Sequence, residues 1–161
     1  MARTEPGAPP DPVPTSGWTV DASHEHVFPV RVYYEDTDAG GIVYYVNYLK
    51  FAERARTEML RLLGHRQFDL LARAGIGFTV RSCHADYRAP ARLDDALEVR
   101  TTLIDIGGAS MRLRQRILRE GALLCDLRFR LAVMNREGRP ARMPQPIREA
   151  LEPHALGEDG A

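Results

Sequence analysis

A strand, an acidic glycine-rich corner and a long amphipathic helix follow one another without interruption in residues 31–56, RVYYEDTDAGGIVYYVNYLKFAERAR. Residues 27–34 are rich in Val, Phe and Tyr and read as a strand. Residues 35–41 contain Asp36, Thr37, Asp38, Gly40 and Gly41, all turn formers. Apolar residues then recur at steps of three and four (Tyr48, Ala52, Ala55, Met59, Leu62), which predicts a helix over about 45–63. Asn47, Lys50, Arg54, Glu58 and Arg61 make the opposite stripe, expected to face solvent. Leu49, Leu60 and Leu63 widen the apolar arc, so the helix is expected to be buried on more than one side. Gly64 supplies its stop.

The remaining chain reads as the wrapper such a helix requires. Residues 68–74 suggest a short second helix ended by Gly75, and residues 77–87 a strand closed by Ala89 and Pro90. Leu97, Val99, Thr101 and Leu103 alternate with polar neighbours, as do Met111, Leu113, Gln115 and Ile117 with Arg112, Arg114 and Arg116. Leu123, Cys125, Leu127, Phe129, Leu131 and Val133 alternate strictly. Gly107-Gly108 and Glu120-Gly121 mark tight turns between these strands. Four strands in succession are expected to pair antiparallel. One long helix covered by one antiparallel sheet is an α+β layout. The Arg112, Arg114 and Arg116 face is left to solvent or an interface.

The limits of the domain follow from composition. Residues 1–25 carry Pro6, Pro9, Pro10, Pro12 and Pro14 and are expected to be a disordered tail, with Trp18 and Val20 able to pack on the body. Residues 26–144 form the domain, and residues 145–161 a short helix and a frayed end. With 161 residues the chain suits a single core. Its formal net charge is zero, so no general field draws it to nucleic acid. No segment approaches the ~20 apolar residues that span a bilayer, and the N-terminus has no apolar signal region. Cys83 and Cys125 stand apart in no metal or redox spacing, are expected to be small core residues, and fit a reduced, cytoplasmic protein.

The chemistry-bearing motifs are few. The sequence has no G-x-S-x-G elbow, P-loop, H-E-x-x-H or zinc-spaced Cys/His cluster. The five histidines fit no template. The segment from Asp36 is similar to the start of a calcium loop, but Asn47 stands where the bidentate Glu belongs. It is also similar to a phosphatase D-x-D nucleophile, but Gly40 replaces the Thr or Val. No metal or cofactor is expected. What remains is a carboxylate at a strand-to-helix corner. Such a group is ionised at pH 7 and acts as nucleophile or general base. First-turn N–H groups of the following helix attract an oxyanion. Gly40 and Gly41 let a substrate carbonyl approach the backbone. A thioester suits so little machinery, because its thiol leaves with a pKa near that of Cys, about 8.5. From spacing alone, a second role stays open: Asp38 as a cap for the loop or helix.

Residues 31–56 resemble the signature of the hotdog-fold acyl-CoA thioesterases of the 4-hydroxybenzoyl-CoA thioesterase superfamily, nearest the Tol–Pal-associated, YbgC-type branch. The matching residues are Tyr34, Asp36, Thr37, Asp38, Gly40, Gly41, Val43, Tyr44, Asn47, Tyr48, Glu53, Arg54, Ala55 and Arg56. A second block, residues 87–95, resembles the same branch. The resemblance implies a hotdog fold, an antiparallel sheet wrapped around one central helix. It implies an acyl-CoA or acyl-carrier-protein substrate, with CoA as part of the substrate and no other cofactor. It also implies homo-oligomers, dimers with a continuous sheet or tetramers of paired dimers, with substrate at subunit interfaces. It assigns the catalytic carboxylate to Asp38 and the oxyanion N–H to the backbone of Tyr45. Gly40, Gly41, Val43 and Tyr44 come with it as substrate-binding positions, and Arg88 and Arg92 as candidates to meet the CoA phosphates. Many YbgC-type members carry His where this chain has Tyr45; the 4-hydroxybenzoyl-CoA enzyme carries Tyr. A route through an imidazole at that point is therefore not expected, while one through the backbone N–H is unaffected.

Asp36 is expected to be a loop hydrogen-bonder, and Glu53 and Arg56, three residues apart, to form structural ion pairs with each other or with a partner subunit. Two rival functions share the fold: a scaffold that binds acyl carrier protein or an envelope complex such as Tol–Pal, and a dehydratase. The dehydratase would need a histidine at the corner, and none is there.

Overall fold

The computed structural model describes residues 16–18 and 24–157. The helix α1 spans Tyr45–Leu62 and follows the strands β1, Gly17–Trp18, and β2, His26–Arg31. A short α2, Gln67–Asp69, runs into a single π turn, Leu70–Ala74. Four strands follow: β3, Ile76–Tyr87; β4, Ala96–Ile106; β5, Ser110–Arg119; and β6, Ala122–Asn135. The helix α3, Gln145–Leu151, comes last. The sheet is antiparallel in the order β1-β2-β4-β5-β6-β3. Among the described residues, no helix is long and apolar enough to cross a membrane.

The sheet curls around α1 as the apolar stripe requires. Tyr48, Phe51, Ala52, Ala55, Met59 and Leu60 of the helix are buried in one cluster with Leu97, Val99 and Leu103 of β4. Leu113 and Ile117 of β5, and Leu127, Phe129 and Val133 of β6, complete that cluster from the alternating positions. Gly64, at φ +86°, ends the helix region in the left-handed conformation.

Strand order differs from a simple succession. β4, β5 and β6 form a meander through the two glycine turns, but β3 does not pair with β4. It pairs with β6, with Cys83 opposite Phe129, and so becomes the outer strand. The physical reason is the link between β3 and β4. Residues 88–95 contain Pro90 and cross under the N-terminus of α1 instead of turning tightly, which delivers β4 to the side of β2. Cys83 is consequently exposed, whereas Cys125 is buried as expected, and burial pushes its thiol up to about 12.

The outer face of the sheet carries charge in pairs. Arg114 binds Asp126 and holds that carboxyl below the usual range. Arg112 binds Asp105, and Arg116 binds Glu25. Glu25 is itself buried, and Thr102 donates to it at 3.0 Å. Glu25 falls in the stretch expected to be a disordered tail, as do Gly17 and Trp18, which pair with His26 and Val27. Trp18 stacks on His154 with ring centroids 3.8 Å apart, and His26 meets its edge. A stacked indole and a paired carboxylate hold this part of the tail to the body. Val20 and the rest of the tail expectation, residues 1–15 and 19–23, lie outside the described residues. At the other end, Leu156 and Gly157 donate to β4 carbonyls, and residues 158–161 lie outside the described residues.

Candidate active site

The acidic corner is a miniature hairpin. Thr37 bridges Val43, the Asp38 N–H donates to Ile42 O at 2.9 Å, and the Gly41 N–H donates to Asp38 O at 3.0 Å. Gly41 sits at φ +76°, a conformation that costs any other L-residue strain. Gly40 has a separate reason: a Cβ there would stand 3.1 Å from Asp38 Oδ1. That oxygen accepts the Gly40 N–H at 2.8 Å and the Ile42 N–H at 3.5 Å. Both bonds fall on Oδ1; among the described residues Oδ2 takes none, and the side chain is exposed.

Two clamps fix the corner. On one side, Asp36 is buried, and its Oδ2 accepts the Tyr33 N–H at 2.8 Å. Its carbonyl accepts the Tyr44 N–H at 2.9 Å and the Asn47 carboxamide at 2.8 Å. Asn47, expected on the solvated stripe, is thus buried; a first-turn side chain leans back toward the corner, where the Asp36 carbonyl takes it as a second donor. On the other side, Val43 N–H donates to Ala91 O at 2.9 Å, and Ile42 bridges Arg92. The buried Ala91 N–H donates in turn to the Tyr48 hydroxyl at 2.9 Å. The two sequence blocks are therefore one structural unit.

The helix N-terminus opens beside this unit. Tyr44 is the N-cap and makes no side-chain cap bond, so Asp38 caps its own turn and not the helix. The N–H groups of Tyr45 and Val46 belong to the first turn, which has no intrahelical acceptors. Tyr44 and Tyr45 are exposed, with rings 4.9 Å apart, and Tyr87 reaches across to donate to Tyr45 O at 3.1 Å. A hydrogen bond with Tyr45 raises the Tyr44 hydroxyl above the usual phenol range, and the Asp38 charge adds to it. Tyr87 was legible in the sequence as the end of a strand and the first residue of the second motif block, with no role at the site assigned to it.

The other expected site residues fall in different places. Val43 is a core residue, so its contribution to the corner is through its backbone. Arg92 is exposed beside Ile42, at the corner. Arg88 is turned onto Asp86 at 2.9 Å. Of the two pairings expected for Glu53 and Arg56, the one with each other does not form: Glu53 accepts from Thr57 at 2.9 Å, and buried Arg56 donates to Gln115 Oε1 at 2.8 Å. The helix turns Glu53 outward and Arg56 inward. No group of His, Cys, Asp and Glu placed to hold a metal ion occurs among the described residues.

Known proteins share this arrangement. Residues 32–151 match the model of the thioesterase-like superfamily. The acyl-CoA thioesterase YbgC of Haemophilus influenzae is 42% identical over 125 residues, covering 77% of this chain and 92% of that protein. The acyl-CoA thioester hydrolase YbgC of Escherichia coli is 53% identical over 91 residues, 56% of this chain and 67% of that protein. A crystal structure of a probable thioesterase from Bartonella henselae superposes with a TM-score of 0.71 at 35% identity, covering 74% of this chain and 99% of its own. On the strength of a match that takes in both the corner and the sheet around it, the chain belongs to the hotdog thioesterase-like superfamily.

Proposed function

We propose that this protein is an acyl-CoA thioesterase in which Asp38 is the catalytic carboxylate. The observation that carries this reading is the Asp38 side chain: one oxygen is locked by Gly40 and Ile42 N–H groups, and the other is left free beside an uncapped helix start. The thioester carbonyl oxygen takes the N–H of Tyr45, where the helix dipole favours the charge that develops. Asp38 Oδ2 either adds to the carbonyl carbon or takes the proton of an attacking water. The C–S bond breaks, the thiolate leaves and is protonated from solvent, and water supplies the oxygen of the free acid. Gly40 and Gly41 keep the approach open, Tyr44 borders it, and of the two candidates for the CoA phosphates Arg92 is bridged to Ile42 at the corner while Arg88 is paired with Asp86.

The names of the relatives, acyl-CoA thioesterase and acyl-CoA thioester hydrolase, support the substrate class. We place the protein in the cytoplasm, where acyl-CoA is formed and thiols stay reduced. Its outer strand β3 is 12 residues long, with residues 79–84 exposed. Two such edges joined in register make the homodimer with a continuous sheet.

Thiol release from short, long and aromatic acyl-CoA esters, with acyl-carrier-protein esters in parallel, tests the function. Turnover of at least one class is expected. Inertness to all of them, together with a stable carrier-protein or Tol–Pal complex in pull-down, would replace the enzyme with a binding scaffold.

A further inference from the structure

A groove of about 540 Å³ runs along one face of α1, from Val46 in the first turn past Leu49 to Arg56. Val80 of β3 and Phe129 of β6 form its other wall. A smaller cavity of about 110 Å³ adjoins it, and Glu53, Arg56 and Val80 line both. Arg56 therefore stands where the two spaces meet.

Arg56 is an unusual residue to find there. It is 8% exposed, and its guanidinium lies 4.3 Å over the Phe129 ring. Its one protein hydrogen bond among the described residues is to Gln115, a neutral acceptor, which leaves most of its five donors unused. No carboxylate among the described residues reaches it as an ion pair; the nearby Glu53 is exposed and bound to Thr57. Burial lowers its pKa, and the nearby Glu53 charge opposes that without reversing it. Buried guanidinium groups are ordinarily paired, because an isolated one is costly. Lys50 and Arg54 also line the groove, so it presents three cations against Glu53 alone.

We propose that Arg56 receives a carboxylate at the far end of the acyl chain, which makes the substrate an ω-carboxyacyl thioester, the half-thioester of a dicarboxylic acid. The inference rests on the reading that the thioester itself sits at Asp38 and Tyr45. The apolar walls then hold the methylene chain, and the guanidinium forms the paired, charge-assisted contact it lacks. The helix rise from Tyr45 to Arg56 is ~16 Å. An extended chain gains ~1.2 Å per bond, so the acyl chain spans at most about 13 bonds, fewer because the Arg56 side chain leans toward the helix start.

The test uses the full chain and matched pairs of CoA esters of about six to twelve carbons, identical except for a terminal carboxylate in place of the methyl. At the matching length, kcat/KM is expected to favour the carboxylated ester by at least about tenfold. Arg56→Gln, which retains a donor toward Gln115, should bring that ratio to within about twofold, and Arg56→Lys should keep part of it. General damage to the site lowers both esters together and leaves the ratio in place. If wild-type protein hydrolyses the alkyl ester as well as its partner at every length, or the preference survives in Arg56→Gln, the proposal is wrong. Should Arg56→Gln not fold, the wild-type ratio alone decides. No hydrolysis of either ester at any length overturns this inference, whereas the thioesterase reading falls only if the short, aromatic and carrier-protein esters are inert as well.

Discussion

The carboxamide of Asn47 donates to the carbonyl oxygen of Asp36 at 2.8 Å, so the first turn of the helix grips the loop that carries Asp38. The same oxygen also takes the Tyr44 N–H, which makes Asp36 the hinge between corner and helix. In Asn47→Ala that oxygen keeps one donor, and the lost bond should cost about 1 kcal/mol. For a chain of this size that lowers Tm by about 2–4 °C. Turnover should fall further than this modest loss accounts for, about tenfold, because Asp38 is no longer held against the helix start. Melting curves and steady-state kinetics on one preparation separate the two effects.

Gly40 and Gly41 are needed for different reasons, and their alanine variants should differ accordingly. Gly41→Ala forces φ +76° on a residue with a Cβ and should cost about 1–2 kcal/mol of stability. Gly40→Ala puts a methyl 3.1 Å from Asp38 Oδ1 and should move the carboxylate, lowering kcat with little change in Tm. Comparing the two variants by melting and by kcat checks the distinction.

Tyr48→Phe removes the hydroxyl that accepts the N–H of Ala91, a residue with 0% exposure. An unsatisfied buried donor costs about 1–3 kcal/mol. Urea denaturation should show that loss. Activity should fall as well, because Ala91 O holds the Val43 N–H at the corner.

His26 gives the stability a defined pH dependence. Burial lowers its pKa from 6.5 to about 4, and among the described residues its Nδ1 is buried without a partner. Between these values the unfolded chain binds the proton and the folded one does not, so stability falls as pH drops from 6.5 toward 4. The loss approaches at most about 3 kcal/mol. The slope of unfolding free energy against pH in this window should flatten in His26→Gln.

Much of the fold was legible because burial enforces period. The helix stripe and the alternation of Leu97, Leu113, Leu127 and their neighbours followed directly from it. Pairing partners did not, because alternation marks which face of a strand is buried and says nothing about which strand lies beside it. The corner was legible as a motif, yet its supports were not. Asn47 and Tyr87 both fall in the motif blocks, but Asn47 reads as a polar residue on a polar stripe until Asp36 O is seen beneath it, and the role of Tyr87 shows only when its hydroxyl is seen at Tyr45. Arg56 and Glu53 have the spacing of an ion pair, but the sheet offers Gln115 and Phe129 on the inner side, and the guanidinium takes them. Trp18 was legible as a ring able to pack on the body, and it stacks on His154, but Glu25 was obscured by the prolines before it, since composition averages over a segment.

The central claim is that Asp38 supplies the chemistry, and Asp38→Asn tests it most directly. Asn keeps the Oδ1 acceptor for the Gly40 N–H, so the turn and the melting temperature should be preserved. Removing a positioned base or nucleophile costs about 10²–10⁴-fold in rate. The measurement is kcat/KM for the best acyl-CoA ester in wild type and variant, alongside their melting curves. The account predicts a loss of at least about a hundredfold with Tm unchanged; hydrolysis within about tenfold of wild type in a folded Asp38→Asn protein would contradict it.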